Sequence, residues 1–395
     1  MRVTQPMLSN SSLRHLSQSY QTLHTLQNQL ATGKKITRAS QDPVVAMNGM
    51  RYRTQVTEIT QFERNLSETY NWMDNGDAAL DQVTNAMHRV RELAVQASND
   101  TYEASQRDNI AKEIRQLLEH VESLANTKSN SKFIFNGTNT TNPPVNPEAF
   151  NLKFEDIAND FQGIGDGEYE KGDFPIELTF SSGTYHLHSK DGDTYVFQHA
   201  DHPRPDKMIT MTVGEEIDED TDEVTFNLDA IQYSHNGETS ELKEREIIFF
   251  GADAVSTNEQ DVKIELLKGV TIPINIRPDN VFSKDFFGDI IQLENALKDP
   301  ETTGEELTRH LQNFDNQINK VVNERAELGA RLNRVEMIED RVRDQEVIAK
   351  RTMSENEDAD IEKVITELLM AENVHMAALS SMARIMQPSL MDFLR

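Results

Sequence analysis

The stretch Leu307 to Val342, LTRHLQNFDNQINKVVNERAELGARLNRVEMIEDRV, decides the architecture. Leu307, Leu311, Phe314, Ile318, Val321, Leu328, Leu332, Val335 and Val342 recur at alternating steps of four and three, and only Arg325 and Glu339 break the row. This is a heptad stripe on one long helix. No proline falls between Thr303 and Lys350, and at about 1.5 Å per residue such a helix extends roughly 70 Å. A helix of that length cannot cover its apolar seam alone. The first ~125 residues share its character, so the two chain ends are expected to pack together, with everything between them an insertion.

Working outward, Leu13, Leu16, Tyr20, Leu23 and Leu30 fill five of six heptad slots near the start, with Gln27 in the sixth, and Gly33 ends that helix. Asp42 as N-cap and Pro43 at the first position open the next one. Tyr52, Val56, Ile59, Leu66, Tyr70, Met73 and Leu80 carry its stripe, extended by Val83, Met87, Val90 and Ala94 to about Ser98. Gly76 falls inside this run at a cost of up to about 1 kcal/mol, and the run is still read as one helix. After a turn at Asn99-Asp100, Ile110, Ile114, Leu117, Val121 and Leu124 mark a third helix. Toward the other end, the polar run Ser354 to Asp358 interrupts the seam. A last helix follows with Ile361, Val364, Leu368, Ala371, Ala378, Met382 and Ile385 on one face, ending near Gln387-Pro388. Its length matches that of the first helix, which suggests a separate coiled-coil layer built from both termini.

The pattern changes after Lys132. Phe133-Ile134-Phe135 precede the turn pair Asn136-Gly137, and Pro143, Pro144 and Pro147 read as a linker. Short apolar runs then read as strands: Ile176–Phe180, Thr184–His188, Thr194–Gln198, Lys207–Val213, Val224–Leu228, Glu246–Phe250, Val262–Leu267 and Val270–Ile276. Helical periodicity resumes with Phe286, Ile290, Leu293 and Leu297. The expected fold is mainly α: an elongated bundle formed by both chain ends, with an inserted all-β domain. The expected division is 1–42 with 354–395 as a terminal layer, 43–142 with 279–353 as a helical rod, and 143–278 as the exposed insertion.

Composition narrows the function. There are 67 acidic and 39 basic residues, a net charge of −28, which argues against nucleic-acid or anionic-membrane partners. A hydrophobic content of 37% suits an extended shape better than one globule. Cysteine is absent, so there is no disulfide framework or thiolate metal site. The first twenty residues lack the apolar core of about 7–15 residues that a secretory signal needs. There is no Gly-rich phosphate loop, G-x-S-x-G elbow or H-E-x-x-H, so neither an enzyme nor a cofactor is expected. His186, His188, His199 and His202 read as surface histidines without a clear third zinc ligand. Asp218, Asp220 and Asp222 have the opening spacing of an EF-hand loop. Glu223 stands where that loop needs glycine and Asp229 where it needs a glutamate, so the run reads as a solvated loop. Asn136-Gly137-Thr138 is a glycosylation sequon by pattern and a turn by context.

Four stretches carry a family resemblance. Arg89-Val90-Arg91-Glu92-Leu93-Ala94-Val95-Gln96-Ala97-Ser98-Asn99, and Leu30-Ala31-Thr32-Gly33-Lys34-Lys35-Ile36 followed by Asp42-Pro43, resemble amino-terminal signatures of bacterial flagellins. Arg325 to Arg334 and Glu357-Asp358-Ala359-Asp360 resemble the carboxy-terminal ones. Met1-Arg2-Val3-Thr4, Phe133 to Thr138 and Phe282 to Leu297 look more like the hook-associated branch of the family than its filament branch. The resemblance implies a structural part of the bacterial flagellum at the hook–filament junction, with a minor filament subunit as the alternative. It implies export without a cleaved signal and terminal segments that fold on assembly. It also implies contacts with copies of itself in a ring, an adjoining hook-associated junction protein, filament flagellin and an export chaperone. The terminal seam residues, Leu13, Leu16, Tyr20, Leu23, Leu30, Ile361, Val364, Leu368, Met382 and Ile385, are the expected assembly residues.

Overall fold

A computed structural model describes residues 5–99, 102–200, 207–217 and 224–385. Met1-Arg2-Val3-Thr4, Asp100, His202, the acidic run Asp218 to Glu223 and Gln387-Pro388 lie outside the described residues. The helices are α1 (Gln5–Thr32), α2 (Pro43–Ala97), α3 (Ala104–Ala125), α4 (Phe154–Gln162), α5 (Pro278–Val281), α6 (Lys284–Lys298), α7 (Gly304–Glu357) and α8 (Ile361–Ile385). The strands are β1 (Lys128–Ser129), β2 (Lys132–Phe133), β3 (Gly167–Glu168), β4 (Ile176–Phe180), β5 (Gly183–Asp191), β6 (Thr194–His199), β7 (Lys207–Ile217), β8 (Val224–His235), β9 (Glu238–Glu241), β10 (Ile248–Gly251), β11 (Lys263–Leu267) and β12 (Val270–Pro273). The fold is mainly α with a β-rich insertion, as the periodicities indicate.

Local chemistry explains the helix boundaries. Gly33, at φ +68°, ends α1. Asp42 Oδ1 accepts hydrogen bonds from the backbone N–H groups of Val44 and Val45 at 3.0 and 3.1 Å, capping α2 behind Pro43. Helix α2 runs unbroken through Gly76, where an added Cβ would meet Leu328 and Ile276 at ordinary contact distances. In α3 the inward slot is Leu118, and Leu117 is only half-buried.

The chain divides into two compact units, Asn65–Met337 and the pair Met1–Arg64 with Ile338–Arg395. In the first of these, buried Met73, Leu80, Val83, Met87 and Val90 of α2 and Phe314, Ile318, Val321 and Leu328 of α7 form the helical core. Arg325 breaks the α7 stripe to bond Asp77 through Nε at 2.7 Å and Asp81 through an Nη at 2.5 Å. Arg91 forks onto Asp315 at 2.5 and 3.2 Å. Helix α6 packs on α3 along one side and on β4, β5 and β10 along the other, and is therefore buried nearly all round.

The insertion is an antiparallel sheet in the order β10-β4-β5-β6-β7-β8-β9, with β3 added beside β5. Its apolar face presents Leu178, Tyr185, Leu187, Tyr195, Phe197, Ile209, Met211 and Ile231. Helix α4 covers that face with Phe154, Ile157, Ala158 and Phe161 at i, i+3, i+4 and i+7. The Tyr195 hydroxyl donates to the Phe161 carbonyl at 2.9 Å. This helix adds to the strand pattern read from the sequence, so the insertion is β-rich and not purely β. The strand β9 is a further addition, and Ile274–Ile276 lies beyond the end of β12.

The insertion is rooted on α6 by largely buried polar contacts. Asp289 is 1% exposed and accepts hydrogen bonds from the Ser182 hydroxyl (2.7 Å), the Asn313 amide (3.1 Å) and the Gln317 amide (2.8 Å). Lys284 pairs with Glu177 at 2.7 Å, and the Gln292 amide donates to the Thr179 carbonyl at 3.1 Å. A Cβ on Gly288 would fall 2.3 Å from Thr179 Oγ1, so only glycine lets α6 approach β4 this closely.

Candidate assembly interface

Helices α1 and α8 pack against each other as an antiparallel pair. The inward row of α8 is Val364, Leu368, Ala371, His375, Ala378 and Met382, at alternating steps of four and three. The matching row of α1 is Ser12, Leu16, Ser19, Leu23 and Leu26. Leu23 and Leu26 are buried, and Ser19 Oγ lies 3.3 Å from His375 Nδ1 across the seam.

Five of the expected assembly residues therefore stand in the seam: Leu16, Leu23, Val364, Leu368 and Met382. Four do not. Leu13 is 49% and Tyr20 66% exposed, and Leu30 and Ile361 are also open. The side chain of Ile385 lies outside what the structure describes. Leu13 and Tyr20 sit one position beyond the seam slots Ser12 and Ser19, on a flanking stripe. On α8 the corresponding stripe is Ile365, Leu369, Met376 and Leu379, all exposed. No other described residue covers this apolar stripe, a kind of surface that partner molecules cover.

Where the pair opens, the loop after α1 and the break before α8 are clamped. The backbone N–H of Lys35 donates to the Glu357 carbonyl at 2.7 Å and that of Ala359 to the Gly33 carbonyl at 2.9 Å. Lys34 Nζ reaches Asp358 at 2.6 Å and Glu357 at 3.4 Å, and an Arg53 guanidinium nitrogen donates to Glu357 at 2.7 Å. Hydrogen bonds from Arg53 hold the Glu357 carboxyl below its ordinary pKa, and Lys34 does the same for Asp358. In the sequence Gly33 reads as a helix end and Glu357-Asp358 as part of a polar break; the available signal for the clamp was the complement between the Lys34 ammonium and the Glu357-Asp358 carboxylates.

The remaining candidates separate in space. His186 and His188 lie on the sheet face opposite α4, whereas His199 packs edge-on to Tyr185 on the α4 side. No three potential metal ligands cluster among the described residues. The amide of Asn136 is buried and donates to the Asn142 carbonyl at 2.9 Å, and the Asn139 N–H donates to the Asn136 carbonyl at 3.0 Å, closing a turn over Gly137. Gly137 has φ +51°, and a Cβ there would strike the Gln260 carbonyl at 2.2 Å. No described helix is long and apolar enough to cross a membrane.

The two ends of the chain match two family models, the bacterial flagellin N-terminal helical region over residues 3–140 and the C-terminal helical region over residues 311–394. Together they take in more than half of the chain. A flagellin of Clostridium tyrobutyricum is 27% identical over 127 residues, 32% of this chain and 34% of that protein. The chain thus spans about a third of the first curated relatives it matches. Polar flagellin F of Vibrio parahaemolyticus is 22% identical over 82% of this chain and 85% of its own length. The crystal structure of flagellar hook-associated protein 3 from Legionella pneumophila aligns with 78% of this chain and 98% of that one, at 17% identity and a TM-score of 0.41. On the strength of both terminal matches, the chain belongs to the flagellin family.

Proposed function

We propose that this protein is a structural subunit at the junction of flagellar hook and filament. The supporting observation is the meeting of Phe133–Thr138 with Phe282–Leu297, the two described stretches that resemble the hook-associated branch. Phe135 and Phe282 contact edge to face at 5.1 Å, and Phe282 adjoins Phe286 and Phe287, at the root of the insertion. In this reading copies assemble through their terminal helices, on the hook side through an adjoining hook-associated protein and on the filament side through flagellin. An export chaperone covers the exposed α8 stripe before the chain leaves the cell. Deleting the gene and assaying the medium for flagellin while imaging the cell surface tests this. Bare hooks with flagellin shed into the medium are expected; filaments of near-normal length would refute it.

A second reading, a minor filament subunit, is favoured by the long alignment with polar flagellin F. Antibody decoration distributes along the filament in that case, instead of concentrating at its base.

A further inference from the structure

The loop between α1 and α2 and the first turns of α2 enclose, with Glu357, a cavity of about 210 Å³. Its walls include Ile36, Val45 and Met50 beside Lys34, Arg38 and Arg53. This is an unusual patch for a chain of net charge −28: from Lys34 to Arg53 there are five Lys or Arg residues and a single carboxylate, Asp42. Glu357 and Asp358 engage Lys34 and Arg53. Among the described residues no carboxylate pairs with Arg38. Val44, Met47 and Met50 are each more than 60% exposed around the cavity. The patch is basic, apolar and concave, and it asks for an acidic, apolar ridge.

The chain carries such a ridge. The outward stripe of α8 presents exposed Ile361, Ile365, Leu369 and Met376, with Glu372 within it and Glu362 beside it, whereas Lys363 pairs with Glu367 on the other flank of the helix. In its own copy this stripe flanks the seam uncovered, because Val364, Leu368 and His375 occupy the slots turned to α1. A second copy supplies what the first cannot. We propose that the cavity at the α1–α2 loop of one copy receives the outward stripe of α8 from a second copy. The two surfaces differ, so the contact is heterologous, and repeating it builds an open or ring-shaped array rather than a closed dimer. The inference rests on the structural-subunit reading and names one of its contacts.

The absence of cysteine permits a direct test. Arg38→Cys is combined in turn with Ile365→Cys, Leu369→Cys, Glu372→Cys and Met376→Cys, and isolated appendages are oxidised and run without reductant. Expected is a ladder of cross-linked copies from at least one pairing and none from the single variants. A Ser19→Cys/His375→Cys control cross-links within one chain and reports that the terminal pair has formed. Variants that incorporate and pass this control but give no ladder in any pairing would overturn the docking geometry while leaving the structural reading intact. Absence of even the wild-type protein from appendages would overturn both. In parallel, Arg38→Glu lowers incorporation by about tenfold, and adding Glu372→Arg restores it. Failure of that restoration, with normal helicity, also counts against the contact.

Discussion

At the scale of single residues, the position under greatest tension is Asp289. Burial pushes its carboxyl up to about 6, against the pull of Gln317, Ser182 and Asn313, which favour the charged form. The folded state therefore binds a proton more tightly than the unfolded chain does. This group's contribution is fully present below its ordinary value near 4 and is lost as pH rises to about 6, a swing on the order of 3 kcal/mol. Urea midpoints of wild type and Asp289→Asn at pH 4 and 7 measure it: the wild type shows this component and the variant lacks it. Equal pH dependence in both would contradict the assignment. Gly288→Ala should destabilise by roughly 1–3 kcal/mol by forcing α6 off Thr179, read in the same titration. Neither residue was legible in the sequence. Phe286, Ile290, Leu293 and Leu297 announce one buried face, and nothing in that spacing says that a sheet covers the other.

At the scale of elements, the sequence overvalued leucine and undervalued serine. Helix α8 carries two apolar stripes, and the one richer in large side chains is exposed; α1 keeps Leu16, Leu23 and Leu26 in the seam and leaves Leu13 and Tyr20 open beside it. Where the helices touch, Ser12, Ser19, Ala371 and Ala378 leave room for close approach; apolarity shows that a surface will be covered but not by whom. Two sets of variants separate the roles. Leu23→Ala should loosen the pair by about 2 kcal/mol, seen as faster amide exchange in α1 and α8. Leu13→Ala and Tyr20→Ala should leave exchange within a few tenths of a kcal/mol of wild type yet reduce incorporation. If Leu23 and Leu13 behave alike, the division into seam and outward stripe is wrong. Helix α4 was missed for a different reason. Phe154, Ile157, Ala158 and Phe161 do carry helical spacing, but nine residues amid strand-like runs offer little periodicity to weigh.

At the scale of the molecule, long periodic stretches made the helical ends and the existence of an insertion readable, while strand order depended on contacts distant in sequence. Removing 361–395 takes away the partner of α1 and the outward stripe together. Circular dichroism should then show a folded remainder, and the truncated chain should be missing from appendages; normal incorporation would contradict the terminal pair's role. The sheet order has a consequence of another kind. Strand β10, last of the eight in sequence, lies beside β4. Nearby, the Asn146 N–H bonds the Ala254 carbonyl at 2.9 Å and the Ser256 N–H the Pro144 carbonyl at 2.8 Å. The chain thus departs from the helices and returns to them through adjacent strands. Residues can be gained or lost between those points without altering the span from α3 to α6, so a lineage is free to change what this region shows its surroundings while the helices around it keep their register.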